Sequence, residues 1–190
     1  MRKLASRFVL PCALLALVLP LTGCGNVKTP LRTVAKVDIP RYMGDWYVIA
    51  NIPNLAEKHC YDSVESYALR ADGDIDNWFS CRKKSFDAPF KKLTSARAVI
   101  RNKLTNAEWT VRFFGFIGVK YLVLDLDPDY QWTVVGHPSR RYGWIMARSR
   151  TLPDDTYQTL LQRLGDQGYD TTKFVKVPQR APVPGAAAAP

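Results

Sequence analysis

Histidine is nearly absent, with two residues in 190, His59 and His137, and cysteine is scarce, with four. A zinc centre needs Cys and His at short fixed spacings, and no such cluster occurs. No Gly-x-Ser-x-Gly elbow and no glycine-rich phosphate loop is present, so neither an esterase nucleophile nor a nucleotide site can be named. A hydrolytic Ser66 or Ser80 would have to meet His59, a proximity that spacing alone does not supply. Asp125 and Asp127 stand among turn residues and read as turn formers rather than an acid–base pair. No catalytic residue, metal or cofactor follows, and no enzyme is expected. No repeat of solenoid length occurs either. The longest apolar run, Phe8 to Leu19, falls short of the ~20 residues that span a bilayer.

What is present begins with apolar material. Hydrophobic residues make up 47% and aromatic residues 12% of the chain, enough for one packed domain, so disorder is not the default. The net charge of +10 suits an anionic partner, either nucleic acid or lipid head groups. Location decides between them. Arg2, Lys3 and Arg7 form a basic start, the short apolar run follows, and Leu21-Thr22-Gly23-Cys24 comes next. This order resembles a bacterial lipoprotein signal ending in a lipobox. It implies that residues 1–23 are removed and Cys24 is acylated. Gly25 rather than aspartate after the cysteine points to the outer membrane, by the same analogy. Export argues against nucleic acid. Cys12 leaves with the signal, so Cys60 and Cys81 remain, either as a pair in an oxidising compartment or as two buried thiols.

Residues 24–37 are polar, contain Pro30 and show no period, which reads as a lipidated tether. Residues 180–190, ending Pro-Gly-Ala-Ala-Ala-Ala-Pro, read as a disordered tail, its looseness beginning near Pro178. Between them lie eight short strand candidates: 46–52, 63–69, 75–83, 95–101, 108–113, 119–126, 132–136 and 142–148. Turn residues separate them, among them Asp72-Gly73, Asp87-Ala88-Pro89, Gly115 and Asp127-Pro128-Asp129. Eight short strands with short connections predict an all-β, antiparallel up-and-down barrel, because closure removes both sheet edges. After the strands, Pro153 with Asp154 and Asp155 begins a helix. Tyr157, Leu160, Leu161 and Leu164 form its single apolar stripe, and Gly165 or Gly168 ends it. One C-terminal surface helix against the barrel is expected.

The most specific stretch is Pro40-Arg41-Tyr42-Met43-Gly44-Asp45-Trp46-Tyr47. Glycine allows a sharp turn into the first strand, and the indole can then fill the closed end of a barrel. Here the chain resembles the lipocalins, whose first motif is Gly-x-Trp-Tyr. Asp127-Pro128-Asp129-Tyr130-Gln131 is similar to their second motif. Trp144-Ile145-Met146-Ala147-Arg148 is similar to the third, ending in the arginine that covers the first-motif tryptophan. The runs Ser63–Leu69, Phe113–Phe116, Asp129–Trp132 and Gly168–Asp170 resemble the bacterial Blc-type outer-membrane lipoproteins of that family. The likeness covers residues 38–179, the expected lipocalin domain. Glu65 and Phe79 depart from it: alanine and asparagine are commoner there.

The resemblance implies a barrel that stores or transports apolar ligands, such as fatty acids or lysophospholipids, in membrane maintenance. The protein would be anchored to the outer membrane, facing the periplasm, and a homodimer is compatible with it. A lipocalin-type enzyme acting on a bound lipophile, or a structural lipoprotein with a filled core, are the rival readings. Gly44, Trp46 and Arg148 are structural motif residues. Tyr67, Phe79, Phe113, Phe116, Tyr121 and Tyr142 are the ligand-contact candidates, though strand parity is not fixed by one sequence. A polar head should stay at the rim, near Lys91, Lys92 or Arg112. The Cys60–Cys81 spacing also resembles that of bacterial members with a cysteine pair. Register opposes it: a two-residue turn at Asp72-Gly73 sets Cys81 opposite Val64, with Cys60 about 13 Å away. A bonded pair therefore requires a longer turn or a bulge.

Overall fold

A computed structural model describes residues 29–181. The expected lipoprotein signal, the expected lipidation site Cys24 and residues 182–190 lie outside the described residues.

Eight antiparallel strands close into a barrel: β1 (Gly44–Asn51), β2 (Cys60–Leu69), β3 (Ile75–Lys83), β4 (Phe90–Ile100), β5 (Glu108–Phe113), β6 (Ile117–Leu126), β7 (Trp132–Gly136) and β8 (Gly143–Ala147). Each strand pairs with the next, and β1 pairs with both β8 and β2, which completes the cylinder. A two-residue strand, β9 (Val175–Lys176), adds to β1. A one-turn helix, α1 (Ile39–Tyr42), precedes β1, and α2 (Asp154–Asp166) follows β8. In an up-and-down barrel alternate connections share an end. The β1–β2, β3–β4, β5–β6 and β7–β8 connections therefore form one mouth, and α1 crosses the other end.

Two apolar cores result. Inward residues of alternate parity, including Trp46, Val48, Ile75, Trp109 and Met146, fill the barrel. A second core lies outside it, where Tyr157, Leu160 and Leu164 of α2 pack on Ile49, Val134 and Ile145. Leu161, the fourth member of the expected stripe, is only partly buried. Gly168 at φ +80° ends this segment, with Tyr169 N–H donating back to Leu164 O at 3.1 Å.

Cys60 and Cys81 are bonded, with Cα atoms 5.7 Å apart. Two one-residue shifts remove the register conflict. Leu69 pairs with Ile75, so the β2–β3 turn is one residue longer than Asp72-Gly73 alone implies. A bulge between Tyr61 and Val64, with Asp62 at φ 50°, shifts the register again and sets Cys60 opposite Lys83. Cys60 thus lies diagonal to Cys81, within reach. The bulge also turns Asp62 into a buried anchor. Its carboxylate meets Arg82 at 3.1 Å and Arg150 at 2.9 Å, and accepts from the Arg180 N–H at 2.8 Å.

Several boundaries differ from the sequence reading: β1, β2 and β6 begin two or three residues early, and three further differences are larger. Part of the expected tether is laid on the barrel: Val34 N–H donates to Val123 O, Val37 N–H donates to Thr105 O, and Val37 is fully buried. The expected tail is held at its start, because Gln179 Nε2 donates to Val48 O and Ser63 O, and Arg180 joins Asp62. Strand β4 begins at Phe90 rather than 95.

Candidate functional site

The barrel encloses a cavity of about 410 Å³ that opens at the mouth. Inward positions of β2, β3, β5, β6 and β8 supply its wall: Glu65 and Tyr67, Asn77 and Phe79, Val111 and Phe113, Val119 and Tyr121, Trp144 and Met146. Every pair is spaced two apart, as one face of a strand requires. Leu55 and Glu57 of the β1–β2 loop, and Tyr142, stand at the rim.

The floor is aromatic. Trp46 is fully buried and donates its indole N–H to Tyr42 O at 2.8 Å. Gly44 turns into β1 at φ +92°, and Arg148 lies 3.8 Å above the Trp46 ring while donating to the carbonyls of Arg41, Met43 and Asp45. These three residues lie at the closed end and do not line the cavity. Trp109 stacks on Tyr121 at 4.7 Å.

Four hydroxyls run across this floor. Tyr67 Oη is 2.9 Å from Tyr121 Oη, which is 2.7 Å from Tyr42 Oη, which is 3.4 Å from Thr133 Oγ1. Thr133 donates to Asp125 O at 3.1 Å, and a carbonyl can only accept. Thr133 Oγ1 therefore has only its lone pairs left for Tyr42, while either partner can donate in the two Tyr121 contacts. With its one contact to Tyr121, Tyr67 Oη keeps acceptor capacity whichever of the two donates. Burial pushes the Tyr42 pKa up to about 12, and raises Tyr67 and Tyr121 well above the usual phenol range. The tyrosines are neutral donors and acceptors, not bases.

Two carboxyl groups stand on the wall in unlike surroundings. Glu57 accepts from Asn51 Nδ2 at 2.6 Å, Asn54 Nδ2 at 2.7 Å and Trp144 Nε1 at 2.8 Å. Glu65, deeper and level with Trp46, accepts from Asn77 Nδ2 at 2.7 Å, its one hydrogen bond among the described residues. Burial, with the Glu57 charge beside it, raises the Glu65 pKa from 4.5 to about 8 against the opposing bond from Asn77. The deep carboxyl is protonated at neutral pH.

Of the six ligand-contact candidates, Tyr67, Phe79, Phe113, Tyr121 and Tyr142 line the cavity. Phe116 does not: Phe114 at φ 51° and Gly115 at φ 80° swing the β5–β6 turn outwards, leaving Phe114 and Phe116 84% and 80% exposed. Of the three cations expected at the rim, Lys92 lies over Trp78 at 4.6 Å, and Arg112 and Lys91 are outside the cavity lining. Lys120 borders the cavity instead, exposed between the inward Val119 and Tyr121. Sequence reasoning missed Asn77, Val111 and Trp144. Each lies inside a strand it had recognised, two residues from Phe79, Phe113 or Tyr142, so correct parity would have found them.

The structure does not assemble the Ser66–His59 pair. They stand at opposite ends of β2, roughly 20 Å apart by strand rise, and Ser66 Oγ donates to Asp45. Among the described residues no group of three His, Cys, Asp or Glu side chains could hold a metal.

The family model for a lipocalin-like domain matches residues 37–179. The chain is 31% identical to temperature-induced lipocalin-1 of Arabidopsis thaliana over 86% of this chain and 90% of that protein. It is 32% identical to the outer membrane lipoprotein Blc of Escherichia coli K12, covering 80% and 86%. Insecticyanin from the tobacco hornworm superposes with a TM-score of 0.62 at 16% identity, over 80% of this chain and 86% of that one, a likeness of fold alone.

Proposed function

The chain belongs to the lipocalin-like family, and on that premise we propose that it is a lipid-anchored carrier that stores or transports fatty acids or lysophospholipids for maintenance of a bacterial envelope. The observation that carries this reading is the open cavity of about 410 Å³, walled by aromatic and aliphatic side chains. Its size falls within the range of small-ligand sites. Each methylene moved from water into it contributes roughly 0.8 kcal/mol, before ordering costs. A charged head group finds no such gain inside, so it stays at the rim near Lys120 while the tail enters.

Anchoring rests on Cys24, which would carry the acyl chains. More than one chain is needed for stable attachment. Relatives named outer membrane lipoproteins support the outer membrane as the site, with the barrel facing the periplasm.

The test is organic extraction of the protein purified from membranes of its expression host, with mass spectrometry of what is released. A single class of acyl lipid at about one per barrel is expected. Recovery of no lipid, together with failure of fatty acids and lysophospholipids to bind the stripped, folded protein, would sink the carrier reading. Cys24→Ala should leave the protein soluble or unprocessed; a processed variant that stays on the membrane contradicts the anchor.

A further inference from the structure

An acyl tail asks only for apolar walls, yet the deep wall here carries a carboxyl group. Glu65 sits between Trp46 of β1 and Phe79 of β3 in the register, both apolar and inward. Asn77 binds its Oε2, and the Glu65 side chain lines the cavity. A bare methyl end packed there would leave a polar atom unpaired. An anionic head would meet two carboxyl groups, Glu65 and Glu57. An ammonium head would have to shed its water, a loss that a buried ion pair often does not recover.

We propose that Glu65 and Tyr67 select a ligand whose buried end carries an uncharged hydroxyl. They occupy successive inward positions of β2, and their hydrogen-bonding roles are complementary. Glu65, protonated at neutral pH by its burial, offers a donor. Tyr67 Oη, 2.9 Å from Tyr121 Oη, keeps a lone pair whichever of the two donates and offers an acceptor. A hydroxyl both accepts and donates, so it satisfies the two together; a methyl satisfies neither, and a ketone only the first. The inference rests on the tail-inward binding proposed above and names the chemistry of the tail's leading end: a long-chain amphiphile hydroxylated far from its head.

Dodecanoic acid and ω-hydroxydodecanoic acid test it, since they share a head and differ by one hydroxyl at the buried end. Both are titrated against an apolar fluorescent probe bound to the stripped protein. In an apolar tube the added hydroxyl weakens binding. Here it should strengthen binding about threefold to tenfold, the worth of a satisfied neutral hydrogen bond. Glu65→Leu should reverse the order, with dodecanoic acid bound at least as tightly as before, which shows that the variant is folded. Glu65→Gln keeps a donor and should keep the preference. Weaker binding of the hydroxy acid to the unaltered protein overturns the inference while leaving the carrier reading intact, as does a preference that survives Glu65→Leu. Displacement of the probe by neither acid overturns both.

Discussion

The two ends of the barrel are built on opposite principles. At the closed end, aromatic side chains pack against one another and their polar atoms are satisfied. Trp46 bonds to Tyr42 O, Trp109 bonds to Asn106 O at 2.6 Å, and Arg148 ties three carbonyls over the first-motif indole. Asp38 N–H, just ahead of α1, donates to the Tyr130 hydroxyl. At the mouth, large apolar residues stand in solvent: Leu55 is 94% exposed, and Phe114 and Phe116 nearly as much. The Cys60–Cys81 bond and the Glu57 and Asp62 clusters tie that end together. One end spends its aromatic residues on stability, and the other leaves them free of the core. Substitutions of similar size should therefore have unlike effects at the two ends.

The largest effect is expected at the floor. Trp46→Ala removes a fully buried indole and the seat of Arg148, and should destabilise by about 3–5 kcal/mol in denaturant unfolding. A loss under about 1 kcal/mol would mean that the closed end does not carry the fold. Reducing the Cys60–Cys81 bond, at the mouth end, frees a 21-residue separation and should lower stability by about 3 kcal/mol, chiefly through the unfolded chain. The floor should keep its near-ultraviolet aromatic signal after reduction under native conditions; loss of that signal would show that the two ends are not independent.

Glu65 links the ends through pH. Its folded pKa is raised from 4.5 to about 8, so between those values the folded chain holds a proton that the unfolded chain has lost. Its contribution is therefore favourable at low pH and is lost as pH rises towards 8. Glu65→Gln lacks this titration. Its stability relative to the parent should rise from about pH 5 to about pH 9, by on the order of 2–4 kcal/mol. Chemical unfolding at the two pH values measures the gap, and a constant gap would place the Glu65 carboxyl in ordinary solvent. The smallest effect belongs to the mouth turn. Phe116→Asp should change stability by less than about 0.5 kcal/mol and leave equilibrium ligand affinity unaltered, whereas Phe113→Asp, two strand positions from Val111, should weaken binding at least tenfold.

The barrel was legible because its punctuation is chemical. Turns at Asp72-Gly73, Gly115 and Asp127-Pro128-Asp129 bound runs of the right length, and the helix stripe at Tyr157, Leu160 and Leu164 shows its period directly. Segments held by a few scattered hydrogen bonds were not legible. Val34 and Val37 dock through two backbone hydrogen bonds, and Gln179 through two carbonyls; neither leaves a period in sequence. The first residues of β4, Phe90 to Thr94, are mostly exposed and show no alternation. Five of the proposed contact residues line the cavity because aromatic residues in this barrel favour the inward face. Phe116 failed because composition says that a turn is apolar, whereas the φ angles of Phe114 and Gly115 decide where it points. The disulfide needed two register shifts, and the bulge at Asp62 has no local sequence signature.

The account stands on the cavity being the ligand site, and filling it tests this most directly. Val111 lines the wall and is 5% exposed. Val111→Trp would extend an indole into the cavity that Val111 lines. Titration of dodecanoic acid or a lysophospholipid against an apolar fluorescent probe should show micromolar binding of one ligand per unaltered barrel. The filled variant should retain its unfolding midpoint and lose that binding by a factor of about 100 or more. Equal affinity in the two proteins, with both folded, would place the ligand elsewhere and contradict the account.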